Sequence, residues 1–360
     1  MVNTMKAAVL KSPGELAIQE VPIFKLKHDE VQIKVLACGI CGSDLRYFVG
    51  ENPWALHTLG KHVDNPPNII LGHEFCGIVC DVGSNIYKSL LNRRVVVLPF
   101  KSCGNCYDCH NGNYNICKYT KHLGHAAGFG LQPFYAGGMA EYCPIWAANC
   151  YIIPENISDS EATFFDVAAV GIHALNKAGA KPGQSVLTIG CGPLGFSILS
   201  FAPYWGAVKL FATEPSEKAR EIISSKGVVT FTGSEDELDF QILSNTNNIG
   251  VDAVFDTVGT LETQALGRKV LASYGVMVNL AVHHNEISFF MDELGREKSI
   301  CSSCNFLPSE FRLAIDMVTS GKIDLKSYIT HEMQLIKVRE AFEIASDRIK
   351  SGALKIVLKP

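Results

Sequence analysis

The sequence predicts a two-domain α/β protein: a mostly-β unit assembled from both ends of the chain, with a doubly wound parallel sheet inserted between them. Three observations carry this expectation. The chain has 360 residues, enough for about two domains at ~150 residues each. Short β-branched runs with irregular loops fill the stretch up to residue 163, and a change of texture after residue 301 ends in another such run. Between them strand and helix patterns alternate, the signature of a parallel sheet covered on both faces. The expected division is 1–163 with 302–360, and 164–301.

Composition agrees. Hydrophobic residues at 47% and charged residues at 19% supply a core and exclude a disordered chain. A net charge of −4 argues against nucleic acid or an anionic membrane as partner. Cysteines number 13, an odd count, and Met1–Leu10 shows no signal-peptide pattern. The expectation is a cytoplasmic protein whose thiols are reduced or metal-bound. The uncharged stretch Pro182–Val208 holds five Gly and three Pro, so it reads as a buried strand, a turn and a buried helix instead of a membrane span.

Taken in order, the first strands are Lys6–Leu10, Val31–Ala37, Phe75–Val82 and Arg94–Leu98. Ser158-Asp-Ser-Glu161 opens a helix running to Ala178. Next come a strand Ser185–Gly190, a helix Leu194–Trp205, a strand Val208–Thr213, a helix Ser216–Ser225 and a strand Val228–Phe231. Val251–Asp256, Leu261–Leu271 and Val276–Leu280 repeat the alternation. Helices Ser309–Ser320 and Val338–Ile349 and a strand Ala353–Leu358 finish the chain.

The most specific motif is Cys103-x2-Cys106-x2-Cys109-x7-Cys117. Four thiolates at this spacing can wrap a structural tetrahedral zinc, and Gly104 and Gly112 permit the bends. Cys38, Cys76, Cys80, Cys301 and Cys304 lie in apolar stretches and read as small hydrophobes. A second metal site is suggested by Gly39-Ile-Cys41-Gly-Ser43-Asp44 after one strand and Gly72-His73-Glu74 before another. A catalytic zinc needs three protein ligands and an open position, and Cys41 and His73 suit it.

Gly190-Cys-Gly192-Pro193-Leu194-Gly195 has the form G-x-G-x-x-G, after a strand and at the start of a helix. There the first Gly allows the turn, the second admits a pyrophosphate, and the third packs helix on sheet. Glu214 closes the next strand, where a carboxylate accepts ribose hydroxyls and repels a 2′-phosphate, favouring NAD over NADP. Ser216, Lys218 and Arg220 just beyond keep a phosphate-tolerant variant open.

With Gly137-Gly138-x-Ala140-Glu141-Tyr142 added, the chain resembles the zinc-containing medium-chain dehydrogenase/reductase (alcohol dehydrogenase) family over its whole length. It is most similar to the sorbitol, threonine and butanediol dehydrogenase branch. The resemblance implies a GroES-like catalytic domain, a Rossmann cofactor domain and two zinc ions per chain. It also implies a homodimer or homotetramer and NAD-linked oxidation of a secondary alcohol or polyol, or the reverse. It makes Asp166 the counterpart of an acidic zinc ligand that is usually Glu, and Glu74 the counterpart of a glutamate that exchanges on and off the metal. Asp44 matches a group orienting the ligand histidine, and Ser43 a hydroxyl relay to the cofactor ribose. Val258-Gly259 falls near the nicotinamide.

Two departures stand out. Asp166 is a methylene shorter than Glu, so ligation needs a backbone shift or a bridging water. Arg46 stands where many relatives have His, and a guanidinium cannot relay protons at neutral pH. It could clamp an anionic substrate or the cofactor pyrophosphate, or pair with an acid such as Glu51. The segment 50–68, with Trp54, His57, Lys61 and His62, is longer than in shorter relatives and would shape the pocket. Reduction of a conjugated double bond or imine on the same fold, and a non-catalytic binding protein, are the alternatives to alcohol oxidation.

Overall fold

The computed structural model describes residues 4–360 apart from 282, 284 and 285. The chain divides into two units: residues up to Asp166 with Leu307–Pro360, and Val167–Phe306. The boundaries lie a few residues beyond the expected ones, because the first falls inside the helix Phe165–Ala178 instead of before it.

In the first unit a seven-stranded sheet has the strand Glu30–Gly39 at its centre. That strand pairs antiparallel with Glu74–Val82, Tyr142–Trp146 and Lys355–Lys359. A three-stranded sheet is built on Thr4–Ser12. The core contains Val31, Ile33, Phe75, Val79, Ile145 and Leu358. Both ends of the central strand are buried on both faces, Glu30–Ile33 at one and Ala37, Cys38 and Gly39 at the other. The next residues carry the site.

The second unit is a six-stranded, all-parallel sheet. Its order is Val229–Phe231, Lys209–Thr213, Ser185–Ile189, Val251–Asp256, Leu271–Asn279 and Ser299–Ser302. Counted along the chain this is the 3-2-1-4-5-6 order of the dinucleotide fold, with its switch point beside the first strand. Leu187, Val254 and Met277 are fully buried, as parallel strands covered on both faces should be.

Several elements end differently from expectation. The helix at 194 stops at Phe201 and continues as a 3₁₀ turn to Trp205. Pro203 has no N–H with which to extend it, and Gly206 at φ 92° closes the turn. The helix begun at Ser158 is interrupted after Ala162 and restarts at Phe165. The helix at 338 ends at Ser346, where Asp347 caps a separate turn, Arg348–Ser351. A helix Glu235–Asn245 was not expected, although Ser234-Glu-Asp-Glu237 carries the same opening signal as Ser158. No helix among the described residues is long and apolar enough to cross a membrane.

Candidate functional site

Cys41 lies at the N-cap of the helix Gly42–Phe48, directly beyond the central strand. Asp44, fully buried, fixes the geometry. Its Oδ2 accepts the Cys41 N–H at 2.9 Å, and its Oδ1 accepts the Gly72 N–H at 3.3 Å. The same Oδ1 faces His73 Nδ1 at 3.6 Å. One carboxylate thus ties the backbone at Cys41 to the backbone just before His73 and lies beside the imidazole, whose Nδ1 has no hydrogen-bond partner among the described residues. The stretch before His73 is clamped by the 137–139 segment. Gly138 N–H donates to Gly72 O at 2.7 Å and Met139 N–H to Leu71 O at 2.9 Å. A Cβ at Gly137 would lie 2.0 Å from Ile70 O, so only glycine permits this approach.

Ligand atoms of Cys41, His73 and Glu74 lie within 4.8 Å of one another. Asp166 stands outside that set, in keeping with its shorter side chain. It is buried, and its Oδ1 has no hydrogen-bond partner among the described residues. Burial pushes its carboxyl up to about 7, with His73 and Lys355 opposing and Glu74 and Asp44 adding to the rise. Burial pulls the His73 imidazole down, but Asp44 and Cys41 outweigh it and hold the ring well above its ordinary range. A thiol, an imidazole and a buried carboxyl oxygen without a hydrogen-bond partner, that of Asp166, are a donor set suited to zinc.

Glu74 has a partner that the sequence reading missed. Lys355, from the C-terminal strand, touches its Oε2, and both side chains are almost fully buried. A Cβ at Gly39 would collide with both groups, so the glycine makes room for the pair. Lys355→Met is expected to destabilise the first unit by about 3–5 kcal/mol, because it leaves a buried carboxylate unpaired. Denaturant unfolding measures this, and a loss below about 1 kcal/mol would mean that Glu74 has another cation to turn to.

Arg46 is partly buried and pairs with an acid of the following segment. Its Nε donates to Glu51 Oε2 at 2.5 Å, the pairing with a protein acid. Two further histidines absent from the sequence reading, His122 and His125, are buried beside His73. The ring centroids of His73 and His125 are 4.4 Å apart, and those of His122 and His125 are 4.2 Å apart. Burial drops His122 to about 3 and His125 well below its ordinary range. His-Leu-Gly-His, so close after the cysteine ladder, was the available signal.

The four ladder thiols converge. Sγ–Sγ separations are 3.5 Å for Cys106–Cys109 and Cys103–Cys117, 3.8 Å for Cys106–Cys117 and 4.0 Å for Cys103–Cys109. A tetrahedron with bonds of ~2.3 Å has edges of about 3.8 Å, so the thiols fit zinc. None of the four is in a disulfide. The Asn105 N–H donates to Cys103 Sγ at 3.4 Å and draws that thiol down to about 7, favouring the thiolate a metal needs.

In the second unit the glycine loop is held closely. Gly190 has φ 82°, and a Cβ at Gly195 would lie 2.1 Å from Gly190 O. Gly192 is the N-cap and Pro193 the first residue of the helix that contains Leu194. Glu214 Oε2 accepts the Cys191 N–H at 2.7 Å, and Oε1 accepts the Ser216 N–H at 2.8 Å. Asp256, fully buried, accepts the N–H groups of Val258 and Gly259 at 2.9 Å each and so fixes that turn. Gln264 and Thr263 donate to its other oxygen at 2.6 and 3.0 Å.

Comparison with known proteins meets this geometry at both places. Residues 27–155 match the alcohol dehydrogenase GroES-like domain, and residues 193–320 match the zinc-binding dehydrogenase domain. Sorbitol dehydrogenase of Bacillus subtilis (strain 168) is 30% identical over 99% of this chain and 98% of its own length. This chain belongs to the zinc-containing medium-chain alcohol dehydrogenase family. D-xylulose reductase A of Aspergillus oryzae is 29% identical over 96% of this chain and 93% of its own. The structure of L-idonate 5-dehydrogenase from Escherichia coli superposes with a TM-score of 0.85 at 26% identity, covering 99% of this chain and 98% of that one. As a zinc-containing alcohol dehydrogenase, the chain pairs a GroES-like unit with a Rossmann-type unit, as expected.

Proposed function

We propose that this dehydrogenase oxidises a secondary hydroxyl of a polyol with NAD, or reduces the corresponding ketone, and carries two zinc ions per chain. The observation that carries the reading is the convergence of Cys41, His73 and Glu74 within 4.8 Å, together with the buried Asp166, whose Oδ1 has no hydrogen-bond partner among the described residues. The names of similar proteins, a sorbitol dehydrogenase, a D-xylulose reductase and an L-idonate dehydrogenase, support the substrate class.

Zinc, when bound, supplies Lewis acidity that lowers the pKa of an alcohol, and the nicotinamide supplies the hydride acceptor. Cys41 and His73 would hold the metal, with Asp166 as third anchor, directly or through a water, and Glu74 in reserve on Lys355. Asp44 orients His73 through Nδ1. Ser43, two residues after Cys41, would act as a relay, its Oγ taking the alcohol proton as its own O–H proton passes on to a ribose hydroxyl of the cofactor. Cys103, Cys106, Cys109 and Cys117 would hold the structural ion. In the second unit Gly190, Gly192 and Gly195 would admit the pyrophosphate at the N-terminus formed by Pro193 and Leu194. Glu214 would accept the ribose hydroxyls, and Val258 would border the nicotinamide. A dimer or tetramer rests on the family resemblance, and a cytoplasmic location on cysteines that read as reduced or metal-bound.

Metal analysis with a panel of sorbitol, xylitol, idonate and butanediol, followed by NADH absorbance, tests this. One zinc or none in active enzyme, or no polyol turnover, would overturn it. Glu214→Ser is expected to shift the NAD:NADP ratio of kcat/KM toward NADP by roughly 10- to 100-fold, by removing like-charge repulsion. Wild-type enzyme using NADP as well as NAD would contradict the role given to Glu214.

A further inference from the structure

We propose that His125 is the positioning residue for Ser43, fixing the serine hydroxyl in one orientation beside Cys41 and His73. This rests on reading that site as the place where the substrate alcohol is held. Ser43 Oγ and His125 Nε2 lie 3.4 Å apart. Arg46, at the position where a relay partner for Ser43 was sought, is engaged with Glu51. His125 is the polar side chain that reaches the hydroxyl in its place.

The ring is built into position from several sides. Gly124 has φ 75°, and a Cβ there would lie 2.5 Å from Gly72 O, so the backbone beside His125 sits directly on the backbone beside His73. Tyr47 stacks on His125 at 4.6 Å and 22°, and His122 stacks on it at 4.2 Å and 13°. With the His73 ring also 4.4 Å away at 60°, the imidazole is packed by three rings. Tyr47 is itself anchored: its O–H donates to Asn52 Oδ1 at 2.9 Å, and that oxygen also accepts the Ala55 N–H at 3.0 Å. Asn52 belongs to the long 50–68 segment, which thereby supports the ring under Ser43.

A phenylalanine would fill this slot and stack as well. The imidazole instead buries its Nδ1 without a hydrogen-bond partner among the described residues. That is a cost which the contact of the other nitrogen with Ser43 explains. A serine hydroxyl rotates among three staggered wells, and one hydrogen bond to a fixed ring selects among them. The remaining hydrogen-bonding capacity of Ser43 is then directed at the alcohol. The role is directional and needs no change in the protonation of the ring.

Two measurements test this. In zinc-loaded protein labelled with ¹⁵N-histidine, Ser43→Ala should move the His125 Nε2 resonance and leave that of His110 in place. An unmoved His125 resonance overturns the proposal whatever the activity. In kinetics, His125→Phe should lower kcat for the polyol about 10- to 100-fold with KM for NAD and zinc content unchanged. His125→Gln, whose amide reaches the Nε2 position, should recover most of that loss, and His125→Asn should not. In a Ser43→Ala background the cost of His125→Phe should shrink below about twofold, and full additivity overturns the proposal. If His125→Phe does not fold, the Gln and Asn variants complete the cycle, and equal kcat in the two overturns it. Absent polyol turnover in the wild type sinks the functional reading, while the nitrogen shift still decides the contact.

Discussion

Cys41→Ser is expected to lower kcat for polyol oxidation by about 10³-fold or more, with the zinc content falling from the proposed two ions per chain to one. A serine hydroxyl stays protonated near neutral pH, whereas a thiol is readily converted to the thiolate that zinc prefers. His73 and Asp166 would then have to hold the ion without the soft ligand. The fold should survive. The Cys41 side chain is only half-buried, and the bond from its N–H to Asp44 belongs to the backbone and remains. NADH affinity should be unchanged, because the glycine loop and Glu214 lie in the other unit. Metal analysis, NADH titration and thermal melting together check this. A fully active variant with one zinc would remove Cys41 from the proposed chemistry.

How legible these features were depends on the sequence distance over which they form. The ladder spans residues 103–117, and the glycine fingerprint sits between a strand and a helix. Local spacing carries both. The Cys41 and His73 motifs are 32 residues apart, but each lies at a strand end, which made them readable. Lys355 was not readable. In Lys-Ile-Val-Leu-Lys it looks like the outward member of an alternating strand, and only its register against the central strand brings it to Glu74. His125 likewise depends on a loop docking through Gly124, a backbone contact with no periodic signal. Arg46 was legible in part: Glu51 was the acid named for it, five residues away, and the pair forms. For Asp166 the shorter reach was legible from the residue type, and the structure places the carboxyl outside the 4.8 Å set while leaving one oxygen unsatisfied.

Cys106→Ser should produce the largest loss of stability, about 5 kcal/mol or more, because the ladder lobe has almost nothing else to hold it. Its regular structure is a four-residue helix, Tyr107–His110, and a three-residue 3₁₀ turn, Tyr114–Ile116. Helices this short are unstable alone in water. Its aromatic side chains do not form a core either: Tyr107 is 81% exposed and Tyr119 59%. What converges is the four thiols, and a structural zinc on such a set binds with an apparent ~10–16 kcal/mol, which appears as folding free energy. Cys106 lies within 3.8 Å of both Cys109 and Cys117, so its loss removes one of the four vertices that close the tetrahedron. Zinc content should again fall by one, but this time the melting temperature falls too, and protease cleavage should appear between residues 103 and 119. The two serine variants therefore separate the sites, one losing turnover with the fold kept, the other losing the fold. A Cys106→Ser protein that melts like the wild type and retains both ions would refute the assignment of a structural metal to this ladder.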